Sequence, residues 1–334
     1  MRRTGIVTLA LLLFSLLLYL PSQAEDLTEM FKPLPEVAES KDNPLTPEKV
    51  ELGKMLYFEP RLSKSGFISC NSCHGLTSGG VDNLSTSIGH GWQIGGRNAP
   101  SVFNAAVLGS QFWDGRAATV EEQAKGPIVN PVEMAATEEL VVERLKSIPE
   151  YVALFKKAFP KEKDPITLDN IAKAIAAFER TLMTPSPFDA YLKGDKNALS
   201  EDAKKGLKLF VKKGCVFCHN GVGIGGGSFQ KFDYGTDEGR YTVTKNEKDK
   251  KVFRVASLRN VELTYPYFHD GSVWSLEEAV RIMAKKQLGV KLKDKEVKYI
   301  VAFLKSLTGK RPDITIPVLP PSTAETPKPD VSTN

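Results

Sequence analysis

Apolar residues return at three- and four-residue intervals over five stretches of this chain: Pro47 to Phe58, Glu138 to Phe159, Leu168 to Leu182, Glu201 to Lys212 and Lys293 to Leu307. Ile171, Ile175, Phe178 and Leu182 show the pattern most plainly; a stripe at that spacing is the face an amphipathic helix turns to a core. Strand-like segments are few, and Tyr241 to Thr244 with Lys251 to Val255 are the best candidates, predicted as a small hairpin. The fold class is therefore all-α. Pro185, Pro187 and Gly194 interrupt the helical pattern, which puts a boundary within Pro185 to Lys196 and divides the chain into units at 25–190 and 191–311. Residues 312–334 are rich in Pro, Thr and Ser, with Ile314, Ile316, Val318 and Leu319 almost alone as large apolar residues. They are predicted to form an extended or disordered tail.

The two units repeat each other. Ser101, Asn104, Phe112, Asp114, Gly115, Glu121 and Glu122 recur without a gap as Ser257, Asn260, Phe268, Asp270, Gly271, Glu277 and Glu278. In both copies a hydroxyl residue opens a capping box, Thr119-Val120-Glu121-Glu122 and Ser275-Leu276-Glu277-Glu278, so a helix starts at the same point. Gly53-Lys54-Met55-Leu56-Tyr57-Phe58 and Gly206-Leu207-Lys208-Leu209-Phe210 also correspond, each suited to a short helix that runs into a cysteine-containing segment. An internal duplication gives both units one fold.

The N-terminus adds a compartment. Arg2 and Arg3, the apolar run from Ile6 to Leu20, and Ser22-Gln23-Ala24 before Glu25 form the three regions of a secretory signal, residues 1–24. An uncleaved anchor is the alternative, since the run is only slightly shorter than a spanning helix. No later stretch is long and apolar enough to span, so the expectation is a protein soluble in the periplasm. The net charge of +5 drops to +3 without Arg2 and Arg3, too small a bias for nucleic-acid binding. Lys248-Asp249-Lys250-Lys251 reads as solvated surface.

All four cysteines and two of the four histidines fall in two copies of one motif, Cys70-Asn71-Ser72-Cys73-His74 and Cys215-Val216-Phe217-Cys218-His219. Cys-x-x-Cys-His attaches haem c, with both thiols bonded to the vinyl groups and the histidine placed to ligate iron. A thioredoxin-type centre would need a cytosolic βαβ context, and a four-cysteine zinc site would hold its pairs about 15 to 20 residues apart; neither fits. Two covalent haems are implied, one in each of two small all-α cytochrome c-like domains.

A sixth iron ligand must come from the remaining His90 and His269 or from methionine. Met283 lies on the helix opened by the second capping box and suits the second haem. The matching stretch after the first haem has no methionine there, which leaves His90, set in Ile88-Gly89-His90-Gly91-Trp92-Gln93-Ile94-Gly95-Gly96. Flanking glycines make that loop easy to rearrange, so His90 is a removable ligand. An iron that sheds a ligand can bind peroxide, and O–O cleavage then needs a proton carrier. Glu133 is the candidate, with Gln123 as a hydrogen-bonding partner. Trp113 and His269 hold equivalent places in Phe112-Trp113-Asp114-Gly115 and Phe268-His269-Asp270-Gly271. The first offers an electron path or simple packing; the second ligates iron or, preferably, hydrogen-bonds a haem propionate.

These motifs, with Arg97-Asn98-Ala99-Pro100-Ser101, Arg116 and Asn130-Pro131-Val132-Glu133-Met134, make the chain resemble the bacterial dihaem cytochrome c peroxidases over nearly all of its mature length. The resemblance implies a peroxidatic first haem, with His74 proximal and His90 displaced on activation, expected when the second haem is reduced. It implies a higher-potential second haem held by His219 and Met283, electrons from a small periplasmic cytochrome c or cupredoxin, and a homodimer. It also implies a calcium ion between the domains, held by Asn98, Thr264 and Pro266. Two other readings remain: a dihaem electron carrier, and a relative of the dihaem enzymes that oxidise a tryptophan on another protein. The latter carry a tyrosine where Met283 stands.

Overall fold

The computed structural model describes residues 28–333; the signal segment lies outside them. Eleven helices are described: α1 (Pro47–Tyr57), α2 (Cys70–Cys73), α3 (Val120–Val129), α4 (Glu138–Lys146), α5 (Pro149–Ala158), α6 (Leu168–Glu179), α7 (Pro187–Leu192), α8 (Glu201–Lys212), α9 (Tyr241–Thr244), α10 (Leu276–Leu288) and α11 (Asp294–Lys305). Strands β1 (Phe229–Lys231) and β2 (Val252–Arg254) pair antiparallel, with Phe229 opposite Arg254 and Lys231 opposite Val252. None of the described helices is long and apolar enough to cross a membrane.

Both capping boxes start helices where predicted: Thr119 Oγ1 accepts from the Glu122 amide and Ser275 Oγ from the Glu278 amide. Two expectations fail. Glu138 to Phe159 is two helices, because Pro149 has no N–H to continue the ladder and begins α5 instead. The hairpin is also misplaced, since Tyr241–Thr244 closes into a helical turn through Thr244 N–H to the Arg240 carbonyl and Lys245 N–H to the Tyr241 carbonyl. The partner of β2 is instead the short, exposed β1, which has no alternation to betray it.

Each unit has its own core. Leu52, Leu56, Tyr57, Leu145, Phe155 and Ile171 are wholly buried in the first; Phe188, Leu207, Phe210, Val297, Ile300 and Phe303 centre the second. In each, the helix preceding the haem motif crosses another at a glycine. A methyl group on Gly53 would overlap the Ala174 carbonyl of α6, and one on Gly206 the Tyr299 carbonyl of α11. Glycine is what permits backbones to approach so closely.

The duplication is visible at the join. Asn104 and Asn260 both adopt left-handed backbone, φ 61° and 58°, and both donate from Nδ2 to the Thr184 hydroxyl, at 2.7 and 2.9 Å. Their Oδ1 atoms accept from the Thr184 and Gly309 amides. One threonine just before the linker thus joins the two copies of the repeat.

The chain ends cross over. Phe31 packs edge-on against Phe188 in the second core, and the Leu34 amide donates to Asp189, whose carboxylate also takes both terminal nitrogens of buried Arg259. The predicted tail, in turn, lies extended on the first unit. Buried Arg144 donates to the Pro327 and Lys328 carbonyls and to those of Arg61, Ser63 and Lys64. Ile314 and Leu319 pack against the first core. The tail is a strap, held by backbone groups that its composition does not reveal.

Burial alone would raise the pKa of Asp189, but its hydrogen bonds and charge pairing with Arg259 hold it below the ordinary carboxylate value. Its contribution to stability is therefore full above the unfolded carboxyl pKa and is lost as pH falls through the depressed folded value. Asp189→Ala, which strands Arg259, should cost about 3–5 kcal/mol at neutral pH. Denaturant unfolding followed through the second haem reads this loss.

Candidate active site and the paired haem cavities

Two cavities open beside the two cysteine motifs. One, of about 420 Å³, is lined by Cys70, Cys73, His74, Gln123 and Glu133. The other, of about 240 Å³, is lined by Cys215, Cys218, His219, His269 and Met283. Asn98 to Ser101 and Trp113 line both, so one stretch of chain and one indole form the partition.

The motif histidines are held alike. His74 Nδ1 lies 3.0 Å from the Pro100 carbonyl and His219 Nδ1 lies 3.1 Å from that of Ala256, positions equivalent in the duplication. Burial pulls both imidazoles below the ordinary value, His219 to about 4. Each is therefore neutral at neutral pH, with Nδ1–H donating and Nε2 free to offer its lone pair to iron.

The two sites differ at the opposite wall. Met283 on α10 lines the second cavity. Counting along the gapless repeat, its counterpart on α3 is Pro127, which can ligate nothing. His90 is not part of the first cavity's lining; Gly89, Gly95 and Gly96 of its loop are. Its buried ring instead places Nε2 2.8 Å from the Ser332 carbonyl of the strap, and Nδ1 has no partner.

Glu133 reaches the first cavity from the turn after α3. Burial raises its pKa above the ordinary carboxylate value, opposed by the Asn130 hydrogen bond and by Arg116; Asn130 Nδ2 donates to Oε1 at 2.7 Å. The main chain of Glu133 accepts from His90 N–H at 2.7 Å, so the acid and the loop share a support. A carboxyl with a raised pKa in a partly closed cavity is suited to carrying a proton.

On the partition, Trp113 Nε1 donates to the Asn98 carbonyl at 2.9 Å and its ring meets His269 edge-on at 6.2 Å. His269 stacks on Phe253 at 4.2 Å. Its Nε2 is buried without a protein partner in the second cavity, as a group awaiting a propionate oxygen would be. The cysteine pairs and histidine nitrogens at the cavity walls and this orphaned atom all fit haem c.

Asn98, Thr264 and Pro266 come together at the second cavity. Asn98 Nδ2 donates to the Leu84 and Ser85 carbonyls, and Asn83 Nδ2 to those of Leu263 and Tyr265. Among the described residues no group of three or more His, Cys, Asp or Glu side chains could hold a metal, so a cation here would depend on amide oxygens, the hard ligands calcium takes.

Several residues gave no sign of their roles in the sequence. Glu179 lines the first cavity, and burial, reinforced by Glu121, lifts its pKa to about 8; its place on a core helix gave no signal. Arg97 donates to Asp114 at 2.5 Å and, through two nitrogens, to Asp237 at 2.6 and 2.9 Å. Asp237 comes from a charged segment that no motif singled out.

Comparison with known proteins settles the family. A family model described as di-haem cytochrome c peroxidase matches residues 47–197, and one described as cytochrome c matches 203–308. The cytochrome c551 peroxidase of Pseudomonas aeruginosa is 54% identical over 314 residues, 90% of each chain. This chain belongs to the di-haem cytochrome c peroxidase family. The cytochrome c551 peroxidase of Nitrosomonas europaea is 55% identical over 295 residues, 85% of this chain and 88% of that one. The methylamine utilization protein MauG of Methylorubrum extorquens is 40% identical over 85% of both. Among solved structures, a MauG-like protein associated with microbial copper homeostasis superposes with a TM-score of 0.76 at 31% identity, covering 85% of this chain and 95% of that one. In this di-haem peroxidase each half carries one attachment motif.

Proposed function

We propose that the protein reduces hydrogen peroxide to two waters in the periplasm, taking two protons and two electrons, the latter one at a time from a small redox protein. The observation that carries this reading is the inequality of the two cavities: Glu133 and Gln123 beside His74, against Met283 beside His219. When bound, the first haem supplies the iron at which peroxide is reduced and the second the centre that receives electrons. Glu133 would carry a proton from one peroxide oxygen to the other, the leaving one, while Gln123 would orient the substrate. Trp113, in both walls, would bridge the electron path. His269 Nε2 would donate to a haem propionate. Asn98, Thr264 and Pro266 would hold calcium, which would stiffen the partition. A homodimer and an N-terminal export signal complete the proposal. Met283 disfavours the tryptophan-oxidising alternative.

Charge distribution supports entry at the second domain. Residues 191–311 carry 25 Lys and Arg against 14 Asp and Glu, whereas 25–190 carry 17 against 23. The ends of α8 and α10 converge where Phe217, 74% exposed, and Leu288 approach Gly214. Exposed Lys212, Lys285 and Lys291 lie within three residues of Gly214 or Leu288 in sequence and make no ion pair among the described residues. Apolar residues with lysines beside them in sequence suit an acidic donor.

The deciding experiment monitors peroxide-dependent oxidation of a reduced donor by fully oxidised and by half-reduced protein. Absence of turnover in both would leave the dihaem electron carrier. Glu133→Gln should lower kcat by about 10²–10⁴-fold with both haems still bound; near-normal turnover would remove the proton-carrier role. With an acidic donor, kcat/KM should fall roughly tenfold or more as salt is raised to about 0.2 M, and a basic donor should lack this loss.

A further inference from the structure

The C-terminal strap ends at the loop that carries His90. The Asp330 amide donates to the Lys64 carbonyl at 3.0 Å, and the Ser332 amide to Asp330 Oδ1 at 2.8 Å. Lys64 Nζ reaches both Asp330 and Ser332. The Lys64 amide in turn donates to the Met134 carbonyl at 2.8 Å, next to Glu133. Pro329 covers Gly66, and Thr333 lies against Gly91, whose φ of +64° and lack of Cβ allow the approach. At the end of this chain of contacts, the Ser332 carbonyl meets His90 Nε2 at 2.8 Å, with the residue 3% exposed.

A carbonyl only accepts, so Nε2 must carry a proton in this contact. An Nε2 that carries a proton has no lone pair for iron. Haem iron that takes His90 through Nε2 therefore competes with the strap for one atom. We infer that the C-terminal strap is the positioning element that captures His90 off the iron, with the Ser332 main-chain carbonyl as the receiving group. The inference rests on the peroxidase reading of the first site and adds what holds that site open. Because the group is main chain, side-chain identity at 332 is unimportant, whereas the length of the strap is decisive.

The test uses the full holoprotein with both haems, a chain ending at Asp330, and Ser332→Ala, which keeps the carbonyl. Optical and EPR spectra of the oxidised proteins read the high-spin fraction at the first haem. A single net hydrogen bond corresponds to roughly fivefold in the open-to-closed ratio. The truncated chain should show that loss of high-spin signal and faster hydrogen exchange over residues 88–95, while Ser332→Ala matches the parent. The spectrum of the second haem verifies folding. Equal spin states in the full and truncated chains would overturn the inference, as would an equal loss in Ser332→Ala. These readouts need no turnover, so an inactive protein would count against the peroxidase reading and leave this result standing by itself.

Discussion

One short run of backbone, Asn98 to Ser101, holds the two redox sites in a fixed relation. Its Pro100 carbonyl orients His74 for the first haem. Its Asn98 amide donates to the His269 carbonyl and its Asn98 carbonyl receives the Trp113 indole. Electron transfer between two centres and proton delivery at one of them both depend on fixed geometry. That geometry is carried here by main-chain hydrogen bonds and the ion pairs of Arg97, rather than by a large shared core. Arg97 adds a tie from the second domain, because Asp237 approaches it from a segment far along the chain.

The two halves share most of their parts, and the repeat departs from symmetry at one cavity wall. Both halves keep the crossing glycine, the left-handed asparagine, the capped helix and a histidine whose Nδ1 is fixed by a carbonyl. The departure is Pro127 at the place of Met283. A proline inside α3 supplies no thioether, and the turn that follows the helix brings Glu133 to the cavity wall. The two cavities therefore differ in the side chains offered opposite the motif histidine.

The segments at the two ends do what neither domain does for itself. Residues near Phe31 complete the second core, and the Pro-rich strap satisfies buried Arg144 on the first unit. Proline suits this role: it stays extended without internal hydrogen bonds and leaves its carbonyls available. Such a segment looks solvated when read alone, since its partners lie across the molecule.

The sequence by itself determined the helical class, the duplication, the two haem sites and the family, because these rest on local signals: periodicity, caps and a five-residue motif. It also brought Glu133, Gln123, Trp113 and Met283 forward as candidates, since side-chain chemistry and repeat position can be read without coordinates. Tertiary structure alone decided which strand pairs with Val252–Arg254, that Glu179 lines a haem cavity, that Asp237 grips Arg97, and where the strap and His90 meet. Each of these joins residues distant in sequence through backbone groups, burial or an ion pair, and none of the three leaves a periodic trace in the residues themselves.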